Sequence, residues 1–214
     1  PKNVKCLTYS SSTSSDYYFS DLNLENNSYH FNYTLKKESH IANSIVLPML
    51  GEHNVSNALA AISVSNLLDI SAEKIFISLE SFKGIKRRFD IHISNKKIVY
   101  VDDYAHHPEE IKSTIAGVLK SFPNRKLKVI FQPHLYSRTK DFANEFADFL
   151  SISDELILLD IFPAREEPIN GVDSKMLLDL CSNRSKSILK KEEVISYLRK
   201  NKNDLVLTLG AGDI

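Results

Sequence analysis

Over the first 48 residues apolar positions tend to alternate with polar ones, most clearly where Tyr29, Phe31 and Tyr33 fall on every second residue. A period of two, interrupted by Ser, Asn and Asp, predicts strands over Val4–Tyr9, Asp16–Leu22, Ser28–Lys36 and Ile41–Leu47, in part an antiparallel meander. The serines from Ser10 to Ser15 read as a turn, since no histidine partner or nucleophile elbow accompanies them. At Gly51-Glu52-His53-Asn54 the period changes. Val55, Ala58, Leu59 and Ile62 follow helical spacing, and Ala61, Val64 and Leu68 form a second stripe, which predicts a helix buried on more than one side. A second helix is predicted over Ala72–Phe82.

From Ile91 onward strand and helix patterns alternate. Strands are predicted at Ile98–Val101, Leu127–Phe131, Leu156–Leu159, Ser187–Leu189 and Leu205–Leu209, and helices at Pro108–Phe122, Ser137–Leu150, Ser174–Leu180 and Glu192–Asn201. This rhythm predicts an α/β fold with a mostly parallel, Rossmann-like sheet and flanking helices.

The chemistry gathers where the strands end. Ile98–Val101 runs into Asp102, Asp103, Tyr104, Ala105, His106 and His107, and Pro108-Glu109-Glu110 then opens a helix, with proline at its first position and acids facing the positive end of its dipole. Both acids and both histidines are thereby expected in one loop. Gln132-Pro133-His134 with Ser137-Arg138, Asp160-Ile161-Phe162-Pro163-Ala164-Arg165-Glu166, and Gly210-Ala211-Gly212-Asp213 follow three further strands. Ligands of open α/β sheets bind outside the carboxyl ends of the strands, so this convergence marks a site.

Two chemistries compete for that rim. A metal hydrolase could use Asp103, His106, His107 and His134 as ligands, but adjacent histidines rarely both reach one ion and no H-E-x-x-H pair is present. A nucleotide-dependent transferase would use the acids for ribose or Mg2+ and arginines for phosphate and carboxylate groups, which employs more of the residues. Arg87 and Arg88, in Gly84-Ile85-Lys86-Arg87-Arg88-Phe89, suit a phosphate chain or a solvated surface. Asn54 and Asn57 share a helix face and suit either a cap or a purine edge.

Composition narrows the field. In 214 residues, 27 Lys and Arg balance 27 Asp and Glu, so no global field steers the chain toward nucleic acid or an anionic membrane. Cys6 and Cys181 lie far apart and read as structural thiols of a reducing compartment. No long apolar span or signal pattern is found, and the chain reads as cytoplasmic. Pro1 in place of Met suggests a fragment of a longer chain.

Six motifs, in order, resemble the Mur ligase family: G-E-H-N-V-S-N-A-L-A-A, G-I-K-R-R-F-D, V-D-D-Y-A-H-H-P, F-Q-P-H-L-Y-S-R-T, D-I-F-P-A-R-E and L-G-A-G-D-I. They are most similar to the branch that joins L-alanine to UDP-N-acetylmuramate in peptidoglycan synthesis. The branch that recycles a whole tripeptide and a non-catalytic nucleotide-binding module are the alternatives. The family's phosphate-loop motif does not occur in this sequence. The resemblance therefore implies the end of a central ATP-binding domain over residues 1–86 and an amino-acid-binding domain over 87–214, a piece expected to be inactive alone. It further implies ATP and Mg2+ as cofactors, Asn54 and Asn57 on the adenine side, Arg88 at the phosphates or bridging the domains, and Asp103 at the ribose. Tyr104, His106, His134 and Arg138 would line the alanine site, with Arg88, His106 and His134 closest to the chemistry and Arg138 pairing with the alanine carboxylate. Some relatives carry arginine where this chain has Leu135, which is given no contact.

Overall fold

A computed structural model describes residues 6–36 and 40–214, which divide into two compact units, 1–84 and 85–214. The start of the predicted Val4–Tyr9 strand and the segment 37–39 lie outside the described residues.

The first unit is a four-stranded sheet with two helices. Strands β1 (Tyr9–Ser10), β2 (Tyr17–Glu25), β3 (Ser28–Leu35) and β4 (His40–Leu47) lie in sequence order. β2, β3 and β4 pair antiparallel as expected, whereas β1 is only two residues long and pairs parallel to β2. The β2–β3 turn is Asn26-Asn27, with φ of 50° and 61°; asparagine tolerates this left-handed backbone, which matches the twist of a tight hairpin. The inward side chains Tyr29, Phe31, Tyr33, Ile45 and Leu47 form one core with Val55, Leu59 and Ile62 of α1 (Glu52–Leu67) and Ile75 of α2 (Ala72–Glu80). The second stripe of α1 differs from expectation: Ala61, Val64 and Leu68 are exposed, so this helix buries one face in the unit. Spacing shows which residues share a face but not which face is covered.

The second unit is a six-stranded sheet in the order β5-β6-β10-β7-β8-β9. Its strands are β5 (Asp90–Ser94), β6 (Val99–Asp103), β7 (Leu127–Phe131), β8 (Glu155–Leu158), β9 (Ser185–Ile188) and β10 (Leu205–Leu209). All neighbours pair parallel except β5, an antiparallel edge strand. The helices are α3 (Pro108–Ser121), α4 (Tyr136–Asp141), α5 (Ala143–Leu150), α6 (Ser174–Leu180) and α7 (Lys191–Lys200). The single helix expected over Ser137–Leu150 is thus two, parted at Phe142, whose φ of −116° and ψ of 24° leave the helical region.

β7 and β10 are buried along their whole length, which is why they read as continuous apolar runs. The exceptions are Thr208 of β10 and Lys128 of β7. The Lys128 Nζ lies 2.9 Å from Asn203 Oδ1 and 3.2 Å from Glu155 Oε2, so the cation inside the sheet is both paired and hydrogen-bonded. Insertion of β10 between β6 and β7 brings the strand ends level: Leu209 is in register with Asp103 on one side and Phe131 on the other, and Phe131 with Leu158.

Candidate functional site

Asp102 and Asp103 are the last residues of β6 rather than part of the following loop, because β10 keeps pairing with both and β5 with Asp102. Both are buried. Asp103 Oδ2 accepts the backbone N–H of Phe89 at 2.7 Å and Oδ1 that of Ala105 at 2.8 Å. The carboxylate expected to face a ribose therefore clasps two chain segments, and at 2 % exposure it is not presented to the rim. Asp102 accepts from Thr208 Oγ1 at 2.6 Å and from Arg87 Nε at 3.0 Å.

Arg87 and Arg88 part company. The Arg87 backbone takes a φ of 59°, and its carbonyl accepts the N–H of Tyr104 at 2.6 Å. Its guanidinium donates to the carbonyl oxygens of Gly210 at 2.6 Å and Gly212 at 2.8 Å as well as to Asp102. Arg87 is thus a strut that fixes the turn after β10, with its fork taken up by the protein. The Arg88 side chain is 44 % exposed, and its Nη1 approaches Glu110 Oε1 at only 3.9 Å. Both guanidinium groups lie over the Tyr104 ring, 5.3 and 5.5 Å from its centroid.

From Tyr104 an aromatic row crosses the strand ends. The rings of Tyr104 and His106 meet edge to face at 5.5 Å, His106 and His134 at 5.8 Å, and His134 stacks on Phe162 at 5.6 Å. A bridge between His134 and Phe162 continues the β7–β8 alignment past the strands. Leu135, at φ 74°, turns the chain into α4, which puts Arg138 one turn above His134; Arg138 Nη1 lies 3.2 Å from His134 Nδ1. Burial, then the Arg138 guanidinium, then the His106 ring hold His134 below the ordinary imidazole value and keep it neutral.

Two carboxylates that sequence reasoning did not assign to the site organise this row. Glu110, at the third position of α3, accepts the N–H of His106 at 3.0 Å and that of His107 at 3.3 Å. Partial burial pushes its carboxyl up, but those N–H donors, the His106 ring and Arg88 outweigh burial and hold it below the usual carboxylate value. A glutamate three residues after a helix cap commonly reaches back in this way, and that spacing was the available signal. Glu166 accepts from the N–H of Ser137 at 2.9 Å and from its Oγ at 2.5 Å, tying the loop after β8 to the start of α4.

The rim thus brings together Arg88, Tyr104, His106, His134 and Arg138. His107 is not among them, since its ring packs on Phe142 at 4.8 Å. Among the described residues no group of three or more His, Cys, Asp or Glu is placed to hold a metal. Asn54 and Asn57 belong to the first unit. Gly51, at φ 87°, caps α1, so Asn54 is not the cap; buried, it donates to the Leu50 carbonyl at 2.7 Å, while exposed Asn57 lies 3.4 Å from Asn54 Oδ1.

Residues 87–212 match the domain family described as Mur ligase, glutamate ligase domain, and residues 1–65 match the Mur ligase middle domain. The UDP-N-acetylmuramate–L-alanine ligase of Flavobacterium psychrophilum is 44% identical over 211 residues, which is 99% of this chain and 47% of that protein. The protein of the same name from Cytophaga hutchinsonii is 48% identical over 172 residues, 80% of this chain and 37% of that one. Among solved structures, the UDP-N-acetylmuramate-alanine ligase MurC of Thermotoga maritima is similar with a TM-score of 0.77 at 26% identity, over 97% of this chain and 45% of that one. The MurF ligase of Thermotoga maritima in complex with ADP, at a TM-score of 0.67 and 20% identity over 95% of this chain and 44% of that one, shares the fold. The chain spans about half the length of the curated relatives it matches. Among the described residues no helix is long and apolar enough to cross a membrane.

Proposed function

The chain belongs to the Mur ligase family, and on that premise we propose that it supplies the amino-acid-binding domain, and the end of the central domain, of a cytoplasmic ATP-dependent ligase joining L-alanine to UDP-N-acetylmuramate. The observation that carries this reading is the placement of Arg138, His134, His106, Tyr104 and Arg88 along one rim of aligned strand ends. Names borne by relatives at 44% and 48% identity support the choice of alanine and the muramyl nucleotide.

In this reading the nucleotide phosphorylates the muramyl carboxylate, and the alanine amine attacks the resulting acyl phosphate. Arg138 is held through Nη1, and its fork keeps donors for the alanine carboxylate. The half-exposed guanidinium of Arg88 faces the phosphate groups, where fixed positive charge favours phosphoryl transfer. Tyr104, His106 and His134 wall the amino-acid side and limit the geometries open to the amine. On the first unit, exposed Asn57 is assigned to the adenine side, with Asn54 beneath it setting its orientation. Asp103 acts through the backbone it clasps rather than on the ribose. The family implies Mg2+ with the nucleotide. No step is assigned to the ion.

The test is phosphate release from ATP by the full-length protein with UDP-N-acetylmuramate and L-alanine, other amino acids or a tripeptide. Alanine-dependent release is expected. A tripeptide preference would move the assignment to the recycling branch, and no substrate-dependent release would leave a nucleotide-binding module.

A further inference from the structure

The two rim histidines hold opposite tautomers, each fixed by what meets its Nδ1. His106 Nδ1 lies 3.0 Å from the Tyr104 carbonyl oxygen and 3.3 Å from Glu110 Oε2. Both neighbours accept, so Nδ1 carries the hydrogen and the ring's lone pair is on Nε2. At His134 the neighbour of Nδ1 is Arg138 Nη1, at 3.2 Å, and a guanidinium only donates. There the lone pair is on Nδ1, already engaged, and Nε2 carries the hydrogen. Two imidazoles 5.8 Å apart therefore present a free acceptor and a free donor, respectively.

We propose that His106, through Nε2, accepts the proton that the amino-acid ammonium must lose before it can attack, that Glu110 is the positioning carboxylate behind it, and that His134 serves as an N–H donor. This assignment rests on the rim being the amino-acid site of the proposed ligase. An ammonium has no lone pair, so no bond to the acyl carbon can form until one N–H proton leaves. That proton passes to His106 Nε2, giving an imidazolium whose Nδ1–H is hydrogen-bonded to the Tyr104 carbonyl oxygen and whose positive charge lies beside the Glu110 carboxylate. The freed amine pair forms the C–N bond, the C–O bond to phosphate breaks, and phosphate departs with that electron pair. The nitrogen's second surplus proton leaves with the phosphate as hydrogen phosphate, which balances charge and atoms. The Tyr104 carbonyl on the far nitrogen holds the ring in one tautomer, and the ionised Glu110 beside it, which also grips the His106 backbone N–H, favours the imidazolium that forms.

The groups that face His106 are Tyr104 on its own loop, Glu110 on α3 with Arg88 beyond it, and His134 after β7 with Arg138 beyond that on α4. Arg88 and Arg138 are permanently charged, and Glu110 is held ionised by its donors. Separate variants of the two histidines distinguish their contributions.

The experiment uses the full-length protein with ATP and UDP-N-acetylmuramate, and compares L-alanine with hydroxylamine as nucleophile across a pH series. Hydroxylamine is neutral at pH 7 and traps acyl phosphate as a hydroxamate without needing a base. His106→Gln should lower kcat with alanine by about 10²- to 10⁴-fold at neutral pH, with the deficit shrinking as pH rises toward the ammonium's own titration, while hydroxamate still forms. Glu110→Gln should show a smaller loss of the same form, and His134→Gln a loss that does not shrink with pH. A His106→Gln deficit that is independent of pH, or confined to KM, would overturn the assignment while leaving the ligase intact. If the unsubstituted protein forms neither amide nor hydroxamate, the ligase reading itself fails and takes the proton-acceptor role with it. Hydroxamate formation by each variant also reports that it has folded.

Discussion

The backbone N–H of Phe89 donates to Oδ2 of Asp103 at 2.7 Å, which joins the segment carrying Arg88 to the end of the strand that leads into Tyr104 and His106. The other carboxylate oxygen holds the N–H of Ala105, so one buried side chain sets the entry to the rim from both directions.

Asp103→Ala should therefore destabilise the protein by about 2–4 kcal/mol, since it leaves two buried backbone donors without acceptors. Asp103→Asn, which keeps one acceptor oxygen, should cost less. Urea denaturation of the two variants checks the order, and equal midpoints would contradict the clasp.

The two neighbouring arginines should separate by assay. Arg87→Lys removes the fork that reaches Asp102 and the Gly210 and Gly212 carbonyls together, and should lower stability by about 2–3 kcal/mol. Arg88→Ala should change stability by no more than about 0.5 kcal/mol, because its approach to Glu110 is long and exposed. In the full-length protein Arg88→Ala should nevertheless reduce ATP-dependent turnover by about 10²-fold. Thermal melts beside phosphate-release rates would show the crossover.

His134 gives a signed pH dependence. Its folded-state value is depressed by burial and by the cation of Arg138, whereas the unfolded chain takes up a proton near the ordinary value of 6.5. Its contribution to stability is complete above that value and is lost as pH falls through the depressed folded value. His134→Gln should flatten this part of the stability profile, read as denaturation midpoints at a series of pH values below neutrality. An unchanged slope would show that the ring is not held neutral.

Glycine substitutions should discriminate a crowded turn from an open one. A Cβ on Gly212 would meet Gln132 Oε1 at 2.2 Å, its Cδ at 2.9 Å and Phe162 Cγ at 3.0 Å, so Gly212→Ala should cost about 1–3 kcal/mol and displace the turn that Arg87 holds. At Gly171 nothing lies within 4 Å and only the φ of +77° matters, so Gly171→Ala should cost about 1 kcal/mol. Calorimetric melting of the pair measures the difference.

Periodicity by itself determined most of the elements, though not β5 or the break between α4 and α5 at Phe142. The bounds of β7, α6 and β10 are those of the apolar runs Leu127–Phe131, Ser174–Leu180 and Leu205–Leu209, because fully buried strands and a helix with an aspartate cap leave little doubt where they end. The crowding of polar residues after the strands was equally legible, and so was the family, through motifs whose spacing survives in one dimension. What the sequence could not show was allocation. Arg87 and Arg88 are identical residues one position apart, and only a backbone turned to φ 59° at Arg87 gives one to the protein and leaves the other half-exposed. Asp102 and Asp103 look like loop acids until β10, more than 100 residues later, extends the strand through them. His106 and His134 are the same side chain, and the proton sits on a different nitrogen in each because one meets a carbonyl and a carboxylate and the other a guanidinium. Residue type fixes which groups can donate or accept. Which of them remain available is decided by partners that only the tertiary structure brings within 3 Å or so.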